Sequence, residues 1–259
     1  MTTNATNNDG QDAASPTACV LLIGNEILSG KTQDVNLQYL GSELAGLGVR
    51  LVEARVLPDD EHVIVSTVNE CRERFDYVFT TGGIGPTHDD ITAQCIAEAF
   101  GRELILDEDA VACLRRGSYE LNEARLKMAR VPRGATLIEN PLSNAPGFQV
   151  ENVYVLAGVP SIARAMFETI AADMAAGPPI YSRNVDVFLR EGDIAGPLEG
   201  IAAQHPQVDI GSYPFSRDGH FGANLVVRGT DEKRLDEVLA QIIAVMTELG
   251  DDSTVGLPS

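Results

Sequence analysis

The sequence predicts an α/β protein: a doubly wound, mostly parallel sheet over residues 18–177, followed by a small α+β domain over residues 178–250. Three observations carry this prediction. Short apolar runs alternate with segments of helical apolar spacing as far as Ala176, the pattern of buried strands joined by crossover helices. The stretch "AAGPPIYS" then breaks the last helix with a glycine and two prolines. Beyond it the order becomes strand, helix, strand, strand, helix, which suits a mostly antiparallel sheet.

Residues 1–17, "MTTNATNNDGQDAASPT", are polar and Asn-rich and read as a disordered tail. "ACVLLIG" is a continuous apolar run ending in Gly24, as expected for a parallel strand covered on both faces. Leu37, Leu40, Leu44 and Leu47 then recur at helical spacing between an Asp34 cap and a Gly48 stop. "VRLVEARVL" reads as the second strand, and a helix from about Asp60 follows with Ile64, Val68, Cys71 and Phe75 on its apolar face. "DYVFTT" is the third strand, and Ile91, Cys95, Ile96 and Ala99 mark the next helix. A helical region spans roughly residues 108–129, "ATLIE" and "NVYVLAG" are strands, and a helix begins near Ser161. In the second domain "SRNVDVFLR", "QVDIGSYP" and "ANLVVRG" are strands, "DIAGPLEGIAAQ" and "DEKRLDEVLAQIIAVMTEL" are helices, and residues 251–259 form a flexible C-terminal tail.

Composition narrows the function. The 44% apolar and 22% charged residues belong to a globular chain. A net charge of −19 disfavours duplex DNA and anionic membranes, both of which require surface cations, and favours a small-molecule partner. No apolar run reaches the roughly 18 residues of a membrane span, and the N-terminus lacks the features of a signal peptide, so a cytoplasmic location is expected. Cys19, Cys71, Cys95 and Cys113 stand far apart, reading as reduced and mostly buried thiols, and no zinc signature joins them to a histidine.

The chemistry concentrates after the third strand, in "TTGGIGPTHDDIT", Thr80 to Thr92. A glycine-rich turn between strand and helix lets backbone N–H groups face an anion, so Thr81, Gly82, Gly83 and Gly85 suit a phosphate or simply make a tight turn. The spacing is neither a Rossmann fingerprint nor a Walker A motif. One aspartate would suffice to cap the helix. Two acids beside a phosphate loop repel the phosphate unless a divalent cation lies between them, which favours Asp90 as a magnesium ligand with Asp89 as its partner. Other strand ends carry similar residues: Asn25 and Glu26 after the first, Asp59 and Asp60 after the second, where either acid reads first as a plain helix cap. "ENPLSNAPGF" places Asn140, Asn144 and Gly147 either around a polar ligand edge or in a plain turn. "AGVPS" sets Gly158 and Ser161 before a helix, the layout of an anion site.

These motifs in this order resemble the MoaB/Mog-like family of molybdenum-cofactor biosynthesis, in the branch of the competence/damage-inducible CinA proteins. "TGGIGPTHDDIT" resembles that branch's signature, "GNEILSG" its opening, and "NPLSNAPGF" with "VLAGVPSIARAMF" its closing pair, over Ala18 to Phe167. The resemblance implies a site for a phosphorylated pterin (molybdopterin) or an adenine nucleotide, with Asp90 and Asp59 as the functional acids. It implies homo-oligomers too, since relatives form dimers and trimers. In the CinA-type branch it implies metal-dependent hydrolysis of ADP-ribose, a phosphoanhydride cleavage that depends on charge neutralisation and in-line positioning. Molybdopterin adenylyltransferase and a non-catalytic binding module are the alternatives. His88 stands where the family commonly has Lys, and Ser143-Asn144 where Gly-Thr is common. The resemblance extends neither to the amidase domain of full-length CinA nor to an FAD-synthesising domain, so those activities are not implied.

Overall fold

The structure, a computed structural model, describes residues 15–117, 120–174, 177–217, 219–250 and 254–256. Most of the expected N-terminal tail lies outside them. The chain divides into two compact units, Met1–Gly177 and Pro178–Ser259.

In the first unit the order is β1 (Thr17–Ile23), α1 (Asn25–Leu28), α2 (Asn36–Gly46), β2 (Arg50–Leu57), α3 (Glu61–Arg74), β3 (Tyr77–Thr81), α4 (Thr92–Ala99), β4 (Leu104–Leu106), α5 (Glu108–Arg115), α6 (Glu123–Lys127), β5 (Arg130–Pro132), β6 (Thr136–Ile138), β7 (Gly147–Val150), β8 (Val153–Leu156) and α7 (Pro160–Ala171). Six strands form one sheet in the order β2-β1-β3-β8-β7-β6. The first four are parallel, and β7 and β6 run antiparallel to their neighbours. β4 and β5 form a separate antiparallel pair.

The alternation along β1 explains the two layers of helices. Cys19, Leu21 and Ile23 face a core shared with Ile64, Val68 and Cys71 of α3 and Cys95 and Ile96 of α4. Ala18, Val20 and Leu22 face the opposite core, with Leu40 and Leu44 of α2 and Met166 and Phe167 of α7. A strand buried on both faces has no polar position, hence the unbroken apolar run. Phe79 of β3 lies in this second core, stacked on Tyr154 at 5.2 Å and tilted against Phe167 at 5.7 Å. Burying such a ring contributes about 2 to 3 kcal/mol. Cys19, Cys71 and Cys95 are buried free thiols, the Cys95 thiol pushed up to about 12 by burial.

Three expectations are corrected here. The helical region over residues 108–129 is two helices, α5 and α6, each capped by its own side chain, Asp107 and Asn122. β7 starts in the last two residues of the stretch read as turn, where Gly147 is required because a Cβ would collide with the Val155 carbonyl oxygen. β4 and β5 fell between the strands expected from the sequence.

The second unit comprises β9 (Tyr181–Val187), α8 (Glu191–Gln204), β10 (Asp209–Arg217), β11 (His220–Gly229) and α9 (Glu232–Leu249). Its sheet, in the order β10-β11-β9, is wholly antiparallel, and α8 and α9 cover one face through Ile194, Leu198, Leu235, Val238 and Ile242. The segment expected as a flexible tail is, at its described residues 254–256, bonded to β9. Phe188 N–H donates to Thr254 at 2.7 Å, Gly256 N–H donates to Asp186 at 2.8 Å, and Val255 bridges Val187.

Candidate functional site

The carboxyl ends of the parallel strands meet through their backbones. Gly24 N–H donates to the Leu57 carbonyl at 3.1 Å, joining the ends of β1 and β2, and Gly82 N–H donates to Leu156 at 3.2 Å, joining β3 and β8. Asn36 adds its amide to the Gly158 carbonyl at 2.9 Å. Gly82 adopts φ 102, and a Cβ there would collide with the Ile23 carbonyl oxygen; a Cβ on Gly158 would stand 3.2 Å from the Gly82 Cα. Gly82 is thus required by close backbone approach, and Gly158 leaves little room for a side chain. The Gly82 N–H is committed to Leu156, so it is not a phosphate donor.

The two aspartate pairs divide differently. Asp60 caps α3, its carboxylate accepting from Val63 N–H at 3.0 Å. Asp59 accepts from Asn25 N–H at 2.9 Å and holds the β2 end against the start of α1. Glu26, Gly158 and Ser161 are exposed at this edge.

Beyond Gly83 the loop turns on Thr87. The Asp90 carboxylate accepts from Thr87 N–H at 2.7 Å and from the Thr87 hydroxyl, which Asp89 also engages. The cap reading of Asp90 fails: α4 starts behind Ile91 with no side-chain cap, and Thr92 instead ties its hydroxyl to Gly82 at 3.0 Å and its N–H to Gly83 at 2.9 Å. The Thr87 hydroxyl holds the Asp89 carboxyl below the usual carboxylate range, so it stays ionised. The His88 side chain is 98% exposed.

A cavity of about 580 Å³ opens beside this loop. Gly83, Gly85 and Asp90 line one side; Leu104, Leu106, Leu126, Met128 and Phe148 make an apolar wall; Lys127 and Arg130 bring positive charge. Lys127 Nζ also donates to the Thr87 carbonyl. Sequence reading missed both cations, because Lys127 meets the loop across 40 residues and nothing local in "EARLKMAR" marks the encounter. Asp90 lines the cavity and Asp89 does not; Asp59, Asn25, Glu26, Gly158 and Ser161 are likewise absent from its lining. Asn140 is 5% exposed and spends its side chain on the turn that follows, donating to Ser143 at 2.6 Å and Ala145 at 2.9 Å and accepting from Leu142 and Ser143 at 3.1 Å. With Asn144, whose φ is 61, it borders a separate niche of about 50 Å³. Thr81 is buried within β3.

A doubly wound α/β domain with its loops gathered at the strand ends, followed by an antiparallel α+β unit, is the class of small-molecule-binding protein that this arrangement defines. Residues 19–176 match the family described as "Probable molybdopterin binding domain", and residues 179–251 match "FAD synthase, middle domain". A protein of Archaeoglobus fulgidus is 36% identical over 195 residues, covering 75% of this chain and 84% of its own. One from Metallosphaera sedula is 31% identical over 259 residues, covering 90% and 96%. The crystal structure of the protein CinA from Thermoplasma acidophilum is 35% identical with a TM-score of 0.58, covering 62% of this chain and 99% of that one. The chain belongs to the molybdopterin-binding domain family, in its CinA-like branch, with a unit of the FAD synthase middle-domain type attached.

Proposed function

We propose that the first unit binds an adenine nucleotide or pterin phosphate in the cavity beside Thr87–Asp90 and hydrolyses a phosphoanhydride, with ADP-ribose the best-matched substrate. The observation that carries this reading is the cavity's division into an apolar wall for a flat ring and a polar side with Gly83, Gly85 and Asp90 for phosphate. Hydrolysis consumes one water and releases AMP and ribose 5-phosphate.

A divalent cation fits the donor set. Asp89 and Asp90, drawn together by Thr87, offer carboxylate oxygens of the kind magnesium takes from protein, its remaining positions going to water and phosphate. Among the described residues no group of three or more acids, histidines or cysteines could hold a metal alone, so substrate phosphate completes the set. When bound, the cation neutralises charge on the phosphoanhydride. Thr87 keeps both carboxylates in place, Gly83 and Gly85 let Thr92 and Asp90 pack against the loop and leave its backbone on the cavity wall, and the apolar wall excludes water from the ring.

Purified protein incubated with ADP-ribose, or with ATP plus molybdopterin, across magnesium, cobalt and nickel tests this. AMP and ribose 5-phosphate are the expected products, and their absence with every metal sinks the hydrolase reading. Metal-independent binding without product would instead support a non-catalytic module, a reading favoured by the placement of Asp59 on Asn25 rather than in the cavity. Pyrophosphate release with molybdopterin would indicate adenylyl transfer.

A further inference from the structure

We propose that Lys127 of α6 and Arg130 of β5 form a cationic clamp that makes the cavity select a diphosphate ligand over a monophosphate. The proposal rests on the phosphate-binding reading above and names the residues that would set its substrate class.

The chain has only three lysines, Lys31, Lys127 and Lys233, in a protein of net charge −19. One of them reaches the acidic loop, its ammonium donating to the Thr87 carbonyl while its backbone belongs to the end of α6. Arg130 lines the same cavity two residues after α6 closes through Met128. Among the described residues neither Lys127 nor Arg130 forms an ion pair, so neither charge is neutralised by a protein acid at salt-bridge distance. Two acids in the lining, Glu123 on α6 and Asp90 on the loop, offset part of the positive field, and Asp89 is close enough to feel the Lys127 charge.

The division of labour follows from charge. A single phosphate satisfies its charge with a cation on Asp89 and Asp90 and with the glycine loop. A second phosphate on the same ligand has no place on the acidic side and needs counter-charge from elsewhere. The Arg130 guanidinium can take two phosphate oxygens as a fork, and the Lys127 ammonium acts as a point charge next to the loop. His88 also lines this cavity, with its ring almost fully exposed and the Asp89 carboxylate 3.9 Å away.

Calorimetric titration with ADP-ribose, as its non-hydrolysable methylene analogue, and with AMP, which keeps the ring and carries a single phosphate, in magnesium, on the full chain and on Lys127→Met, Lys127→Arg and Arg130→Gln tests the clamp. Circular dichroism of each variant controls for folding. The wild type is expected to bind ADP-ribose at least about 10-fold more tightly than AMP. Lys127→Met and Arg130→Gln should each erase most of that preference by weakening ADP-ribose alone, and Lys127→Arg should restore it. If the wild type binds neither ligand, the reading of the cavity fails and the clamp with it. If it prefers ADP-ribose and the folded variants keep that preference, or lose both ligands equally, the clamp alone is overturned.

Discussion

Two loops of the first unit carry the same dipeptide after a parallel strand, Asp59-Asp60 beyond β2 and Asp89-Asp90 beyond β3, and they use it differently. After β2 the helix starts at Glu61, so the second acid falls at the N-cap and binds Val63 N–H, while the first reaches sideways to Asn25. After β3 residues 82–91 intervene before α4, and both acids fold onto Thr87 within the loop. Distance along the chain to the next helix therefore decides whether an acid caps that helix or folds back onto its own loop. On the proposed reading the short connection is a structural joint and the long one a site.

The largest expected effect breaks the long connection at its root. Gly82→Ala forces a φ of 102 on an L-residue and drives its Cβ into the Ile23 carbonyl oxygen. The cost should be about 3 kcal/mol, seen as a fall of roughly 10 °C in thermal midpoint. An unchanged midpoint would show that the loop relocates freely. Next, Asp90→Asn should lower ADP-ribose turnover at least about 100-fold, near 2.7 kcal/mol of barrier, with little loss of stability; full activity removes Asp90 from the chemistry. Asp60→Ala gives the converse pattern: a loss of about 1 kcal/mol from the α3 cap with turnover intact. A fall in turnover comparable to that of Asp90→Asn would erase the contrast between the loops.

The smallest effect is a titration. The Thr87 hydroxyl depresses the Asp89 pKa in the folded state, so its stabilising contribution is complete above the ordinary aspartate value of about 4 and is lost as pH falls through the lower folded value. Thr87→Val should return the Asp89 carboxyl towards the ordinary value by NMR titration. A carboxyl that titrates identically in both proteins contradicts the hub role of Thr87.

Much of this frame was legible in the sequence for a physical reason. β1 is apolar from Ala18 to Ile23 because helices cover both its faces, and α3 displayed its core stripe at Ile64, Val68 and Cys71 because one face alone is buried. β4 and β5 are three-residue strands, too short to establish a period, and β7 is hidden by Gly147 and the turn formers before it. At the site, the glycine loop and its acids were visible as a contiguous motif. The assignment of every glycine to phosphate was not safe, because Gly82 answers to the Ile23 carbonyl rather than to a ligand. Lys127 was invisible because its partner is set by the tertiary fold, as was the choice between Asp59 and Asp60 as cap.

Residues 254–256 occupy the outer edge of β9, the border strand of the antiparallel sheet. An uncovered border strand offers a row of unpaired amides and carbonyls to any extended peptide, including the same segment of another molecule. Three residues, one of which, Val255, also packs against the core, therefore occupy the end of that border around residues 186–188 and leave less of it open to a second chain.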